Sequence, residues 1–525
     1  PRRGWNCIQL PYDYLSGADT DCGLARIATL VDKYREKYEH VILLDNGDFS
    51  QGSPLTYYFN FRDTRSPYPL AEIMNEMHFT ASIVGNHDIE QGPRVYNRIN
   101  KQLKFPWLSA NANTRNGKSY FQPFTIREVA GLKIAFLGLT TPAIPFWLNP
   151  NTYKGIHWQD MKEAASGWSK YLKEDKKVDL LIGMFHAGIR SKAQNDDWPK
   201  DIPEENPTLE IAEKEPGFDV IIAGHEHKLF NTHPQDGKRD VNKPAVVLAG
   251  SHGCYLGVIR LTYKENAGRL ELIDKQAHLE SLKGIKPHPR ILKLYEPYHK
   301  KILKYIDEPV GEAAEDIESN HVRFRDNPVV NLIHQAQLNA TTADISLTTV
   351  FRDKYLLKKG PIRVRDIYQL YEFENDLYVV LMTGKQMKQH LENSARYFNR
   401  IDPRDPFKTS LINNDFKGIE YDMAEGIRYE IDITRPVGER IVNLTASGVK
   451  KPLDMKRKYK VAVNSYRAIQ LNKKYGCRII WKSNKELREF IIDYIKKSGK
   501  ITNHFEPGWR LVPEDITEKI IRKLK

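Results

Sequence analysis

The sequence predicts an α/β protein with a layered sheet core, followed by a second unit that mixes helices and strands. Two observations carry the first part. Short apolar runs alternate with helix-period segments through the first half of the chain. Four of those runs also end abruptly in polar side chains: Val41-Ile42-Leu43-Leu44 meets Asp45-Asn46-Gly47-Asp48, and 81–84 meets Gly85-Asn86-His87-Asp88. The run 180–182 passes through Gly183 to His186, and Val220-Ile221-Ile222-Ala223 meets Gly224-His225-Glu226-His227. A third observation, the change of character between 284 and 307, separates the second unit from the first.

Taken in order, 23–38 places Leu24, Ile27, Ala28, Leu30 and Val31 on one helical face, which predicts a helix covering the sheet. The strand at 41–44 follows, then a helix over 69–77 and the strand at 81–84. The run 132–139 is a further strand, broken by Pro142-Ala143-Ile144-Pro145. A helix over 162–172 precedes Val178 and the strand at 180–182, and 245–248 leads as a strand into Gly250-Ser251-His252-Gly253. From 286 to 310, beginning at Pro287 and Pro289, Ile291, Leu294, Tyr295, Tyr298, Ile302 and Ile306 give helical spacing and predict an interdomain helix. Beyond 311, a helix over 327–338 carries Pro328 in its first turn. Strands are expected at 345–350 and 378–382, and at 428–433, where Tyr429, Ile431 and Ile433 alternate with charged residues. The expected organisation is therefore 1–285, a linking helix at 286–310, and 311–525.

Composition narrows the function. The 525 residues carry a formal net charge of +13, without a recognisable nucleic-acid-reading module, so the charge is read as a solvated basic surface with no specific nucleic acid partner. Cys7, Cys22, Cys254 and Cys477 show no CxxC spacing, and no apolar run approaches the ~20 residues of a membrane span. Sites in open α/β sheets form at the carboxyl ends of strands. Aspartate, asparagine and three histidines gathered there make a donor set for Zn, Mn, Fe or Co. Each residue alone is ordinary turn or core chemistry; the ordered set of four strand ends is what points to a metal centre.

The ordered motifs GD, GNHD, a lone histidine after a strand, and GHxH resemble the calcineurin-like metallophosphoesterases. The stretches Pro11-Tyr12-Asp13-Tyr14, Asp45 to Gly52, and Val461 to Arg467 resemble the 5'-nucleotidase / 2',3'-cyclic-nucleotide phosphodiesterase branch. The resemblance covers nearly the whole chain. It implies a four-layer αββα metallophosphoesterase sandwich plus an α+β nucleotide-recognition domain, two divalent metal ions, and metal-activated water attack on the phosphorus of a nucleotide. It implies that Asp48 bridges the ions, that Asn86, His186 and His225 hold one of them, and that His227 faces the other. His87 is expected to act on the phosphoryl or leaving oxygen with Asp88 orienting it; a helix cap is the plainer role for Asp88. Phe373 takes the place of a base-stacking phenylalanine, and Arg325 and Arg352 resemble arginines that hold substrate phosphate. The place of the second stacking residue falls near Tyr475, after a loop that lacks the family's glycines. A periplasmic or secreted location is likewise implied.

One departure stands out. The family begins with a strand ending in Asp-x-His, and residues 1–10 contain neither aspartate nor histidine. Either further residues precede this stretch, or the second metal site is incomplete and the protein is a catalytically impaired nucleotide binder.

Overall fold

A computed structural model describes residues 12–14, 17–189, 203–237, 239–352, 354–448 and 451–523. The stretch before Pro11, Pro11 itself, Cys7 and Lys450 lie outside these. The chain divides into two compact units, Pro1–Leu303 and Lys304–Lys525.

In the first unit two sheets face each other. One has six strands in the order Leu229–Asn231, Ala245–Ala249, Val220–Ala223, Leu180–His186, Leu132–Thr140 and Phe124–Val129. Its four central strands run parallel, and antiparallel strands close both edges. The other sheet is small and parallel: Leu44–Asp45, Ala81–Ile83 and Trp107–Leu108. Ala81, Ile83 and Leu108 pack with Ile134, Phe136, Ile182, Met184 and Val220 to form the core between the sheets. The opposite face of the large sheet takes Ala164, Ala165 and Leu172 of the helix Met161–Glu174 and Ile211 of Thr208–Lys214. This is the αββα order. Central strands of the large sheet are buried on both faces, which is why they read as unbroken apolar runs.

Element boundaries differ from the sequence expectation in places. The run 41–44 yields a strand only at Leu44–Asp45. The long hairpin Tyr255–Asn266 with Arg269–Ser281 has no counterpart in the expected elements, yet its Ile259, Leu261 and Tyr263 pack on the inter-sheet core. The helix Pro289–Ile306, expected as a linker, is held by the first unit up to Leu303. Tyr298 donates to Glu72, Lys301 pairs with Asp63 at 3.0 Å, and Tyr14 bonds His299 at 3.0 Å. A disulfide joins Cys22, at the foot of the first helix, to Cys254, and the Gly23 amide donates to the Gly253 carbonyl at 2.8 Å.

The second unit is α+β. A five-stranded sheet runs Met423–Glu425, Ile345–Thr348, Lys458–Asn464, Asp376–Thr383, Arg478–Glu486, beside a three-stranded sheet of Ile441–Ala446, Ile427–Asp432 and Trp509–Val512. Asn327 caps the helix Pro328–Ala340 by accepting from the Val329 amide at 2.8 Å, with Pro328 at its first position.

Candidate metal centre

The metal-site residues of the sequence lie where strands of both sheets end. His186 closes the strand Leu180–His186, and His225 follows Val220–Ala223 in the neighbouring parallel strand. Asp48 follows Leu44–Asp45, and Asn86 opens a one-turn helix, Asn86–Glu90, after Ala81–Ile83. Asp48, His225 and His227 all hold left-handed backbone conformations, at φ of +62°, +70° and +54°. Such conformations are disfavoured for residues with a side chain and cluster at functional sites.

Lone-pair donors converge. His186 Nε2 lies 2.9 Å from Asp48 Oδ2 and 3.1 Å from Asn86 Oδ1, and His225 Nδ1 lies 2.9 Å from the same Asn86 oxygen. Donor atoms of Asp48, His186 and His225 all fall within 4.8 Å of one another. The far side of each ring is engaged as well. His186 Nδ1 donates to the Asn46 carbonyl at 2.6 Å, and His225 Nε2 donates to Glu205 Oε1 at 2.8 Å. Because a carbonyl and a carboxylate only accept, those nitrogens carry protons, and the inward nitrogens are left to offer lone pairs. Second bonds of this kind orient metal-binding histidines. An ion bonded to each donor at about 2.0–2.2 Å would set its neighbours roughly 3 Å apart, so the donor set fits a divalent cation.

Burial and neighbouring charges shift these groups in the metal-free site. Burial works to raise the Asp48 carboxyl, but the His186 and His87 imidazoles outweigh it and hold Asp48 well below the usual carboxylate range. Burial would lower His186, but the Asp48 carboxylate outweighs it and raises the imidazole. Burial lowers His225 against the pull of Glu205, and burial pushes His227 down to about 4. His227 is thus neutral and able to ligate at ordinary pH. In the metal-free protein the folded state keeps a His186 proton that the unfolded chain releases. Chelated protein is therefore expected to lose stability as pH rises above about 6.5 through the raised His186 value. Thermal melts of wild type and His186→Gln check this: the variant should have a flatter pH slope, and an unchanged slope would contradict it.

Asp88 occupies the helix-cap position that is its plainer expected role. Its oxygens accept from the backbone amides of Asp48 (2.8 Å), Ser50 (3.1 Å) and Gly85 (2.8 Å), clamping two strand-end turns together. Burial and the Asp48 charge push its carboxyl up to about 7. Glu90 meets His87 Nδ1 at 2.7 Å and also accepts from Gln51 at 3.0 Å. One helical turn explains the contact: positions three apart share a face. The i+3 spacing of His87 and Glu90 was a usable signal. Glu205 carried none, since it stands 20 residues before His225 and reaches it only through the fold.

Gly85 is needed because a Cβ there would lie 2.1 Å from Asp48 Oδ1 and 2.6 Å from the Asp48 amide. Gly85→Ala is expected to displace Asp48, cost about 1–3 kcal/mol of stability, and lower bound metal. Denaturant titration and metal analysis check it, and full metal content would rule it out.

In the second unit, Phe373 packs edge-on against Phe351, with ring centroids 4.5 Å apart. Arg352 pairs with Glu372, next to Phe373 in sequence. Arg325 pairs with Glu518 of the last helix and is half exposed. Tyr475 packs partly on the core, 6.0 Å from the His390 ring. The NSYR stretch folds as a helix start: Asn464 caps it, and Arg467 turns inward to Asp422 at 2.7 Å.

Comparison with known proteins gives two family matches. The calcineurin-like phosphoesterase family matches residues 18–229, and the 5'-nucleotidase C-terminal domain matches 309–473. A 2',3'-cyclic-nucleotide 2'-phosphodiesterase/3'-nucleotidase of Haemophilus influenzae is 29% identical over 97% of this chain and 86% of its own length. The trifunctional nucleotide phosphoesterase protein YfkN of Bacillus subtilis is 28% identical over 96% of this chain, which spans 38% of that protein. In fold, the chain is similar to a Staphylococcus aureus candidate 5'-nucleotidase solved in complex with alpha-ketoglutarate. The TM-score is 0.78 at 22% identity, covering 96% of this chain and 98% of that one.

Proposed function

On the premise that the chain belongs to the calcineurin-like phosphoesterases that carry a 5'-nucleotidase C-terminal domain, we propose that Asp48, Asn86, His186, His225 and His227 hold two divalent cations for the hydrolysis of nucleotide phosphoesters. The chain is a metal-dependent phosphoester hydrolase acting on nucleotides. The ions are drawn from Zn, Mn, Fe or Co, and the substrates are 5'-monophosphates or 2',3'-cyclic esters. The observation that carries it is the meeting of Asp48, Asn86, His186 and His225 donor atoms at 2.9–3.1 Å.

When bound, such a cation pair supplies Lewis acidity toward phosphoryl oxygens and makes water a stronger nucleophile. The protein's own residues supply the rest. His87, held at Nδ1 by Glu90, is placed to donate to the phosphoryl or leaving oxygen through Nε2. Asp88 keeps the turns of Asp48 and Asn86 in register. Phe373 is proposed to stack on the base and Arg352 to exchange Glu372 for a substrate anion; guanidinium forks suit that exchange. An extracytoplasmic location is proposed as well, supported by the Cys22–Cys254 disulfide, since such bonds persist in oxidising compartments. Among the described residues no helix is long and apolar enough to cross a membrane.

Chelation followed by readdition of single metals, with 5'-AMP and 2',3'-cyclic AMP as paired substrates, tests the reading. Activity that survives chelation, or a metal content of zero, would overturn it. A second test concerns the base. Phe373→Ala is expected to weaken kcat/KM for nucleotides by about 1–3 kcal/mol and to leave a base-free phosphate ester nearly untouched. Equal loss on both substrates would make Phe373 a core residue.

A further inference from the structure

We propose that Glu205 is the positioning residue that sets the tautomer and orientation of His225, and thereby the affinity of the centre for its metal. This rests on the reading of His225 as a ligand. The two histidines present different nitrogens. His186 turns Nε2 inward and gives Nδ1 to the Asn46 carbonyl at 2.6 Å, whereas His225 turns Nδ1 inward and gives Nε2 to Glu205 at 2.8 Å. In a neutral imidazole one nitrogen holds the proton and the other the lone pair. A neutral carbonyl orients His186, but a carboxylate orients His225, and a carboxylate partner also makes the ring a stronger donor toward a cation.

Glu205 is built in rather than incidental. It is 5% exposed. Its carbonyl accepts from Thr141 Oγ1 at 3.0 Å, and Asn206 Oδ1 accepts from the Gly188 amide at 2.8 Å. Thr208 Oγ1 donates to the Ala187 carbonyl at 3.3 Å. The segment is thus stitched to the chain that leaves His186, so the partner of one histidine is fixed on the strand end of the other. Trp147 closes the third side of His225, with ring centroids 5.5 Å apart and planes 28° from parallel. These contacts hold a residue whose backbone sits at φ +70°. Glu205 meets the outward nitrogen of the ring, so its role is to position the ligand and not to touch the reacting atoms.

The test uses Mn²⁺ alone as the probe, with dissociation constants read from free-ion EPR, on wild type, Glu205→Ala, Glu205→Gln and His225→Ala. Glu205→Ala should raise the Kd of one Mn²⁺ equivalent by about 10–100-fold. Glu205→Gln, which keeps an acceptor oxygen without the charge, should fall between Glu205→Ala and wild type. Turnover of both Glu205 variants should climb with added Mn²⁺, because the ligand itself is intact, while His225→Ala should not recover. Wild-type Kd in both Glu205 variants, with His225→Ala weakened, would overturn the role of Glu205 alone. Wild-type Kd in His225→Ala would overturn the ligand reading beneath it. If Glu205→Ala fails to fold, the near-isosteric Glu205→Gln decides by the same measurement.

Discussion

Asn86→Ala is expected to lower turnover by roughly 10³-fold or more, because a metal centre contributes several kcal/mol and each 1.36 kcal/mol is tenfold in rate. The Asn86 oxygen is the common neighbour of His186 Nε2 and His225 Nδ1, at 3.1 and 2.9 Å. Removing it takes out the donor that the two imidazoles share. Its side chain belongs to the turn beyond Ala81–Ile83 and not to the inter-sheet apolar core, so the fold should survive. His225→Ala should lose activity to a similar extent, but it is the less clean variant because it also removes the ring that the buried Glu205 carboxylate meets at 2.8 Å. Metal analysis and circular dichroism on Asn86→Ala decide the matter: wild-type turnover with an intact fold would remove Asn86 from the centre.

His87→Ala is expected to cost about 10²–10⁴-fold in kcat with metal content unchanged, the usual size for a general acid or charge stabiliser. Its ring is bonded to Glu90 at 2.7 Å, whereas its backbone amide holds Asp48 Oδ1 at 2.8 Å and remains after substitution. Glu90→Gln should produce a smaller fall of the same kind. Asp88→Ala should behave differently: it removes the clamp on the Asp48, Ser50 and Gly85 amides, so metal loss should accompany activity loss. If His87→Ala loses metal, His87 is a ligand and the division of roles is wrong.

The sequence by itself determined which strands end in chemistry. A strand buried on both faces must be apolar until it stops, so the residue types at 48, 86, 186 and 225 mark where the site lies before any packing is known. The layered class and the mixed second unit follow from the same periodicities. Short or exposed pieces were not legible in this way: the strand at Leu44–Asp45 is only two residues long, and the hairpin Tyr255–Ser281 is too exposed to show clear patterning.

Only the tertiary structure decided the partners. Glu90 meets His87 Nδ1 at 2.7 Å because a helical turn brings i+3 to the same face. Glu205 reaches His225, Trp147 covers it, and Cys22 meets Cys254 across 232 residues of chain. Arg325 pairs with Glu518, far along the chain, while Arg352 pairs with Glu372 and Phe351 packs on Phe373. A strand end is a local property, written in consecutive residues. A hydrogen bond between side chains far apart in sequence depends on how the sheets stack, and no local pattern encodes that.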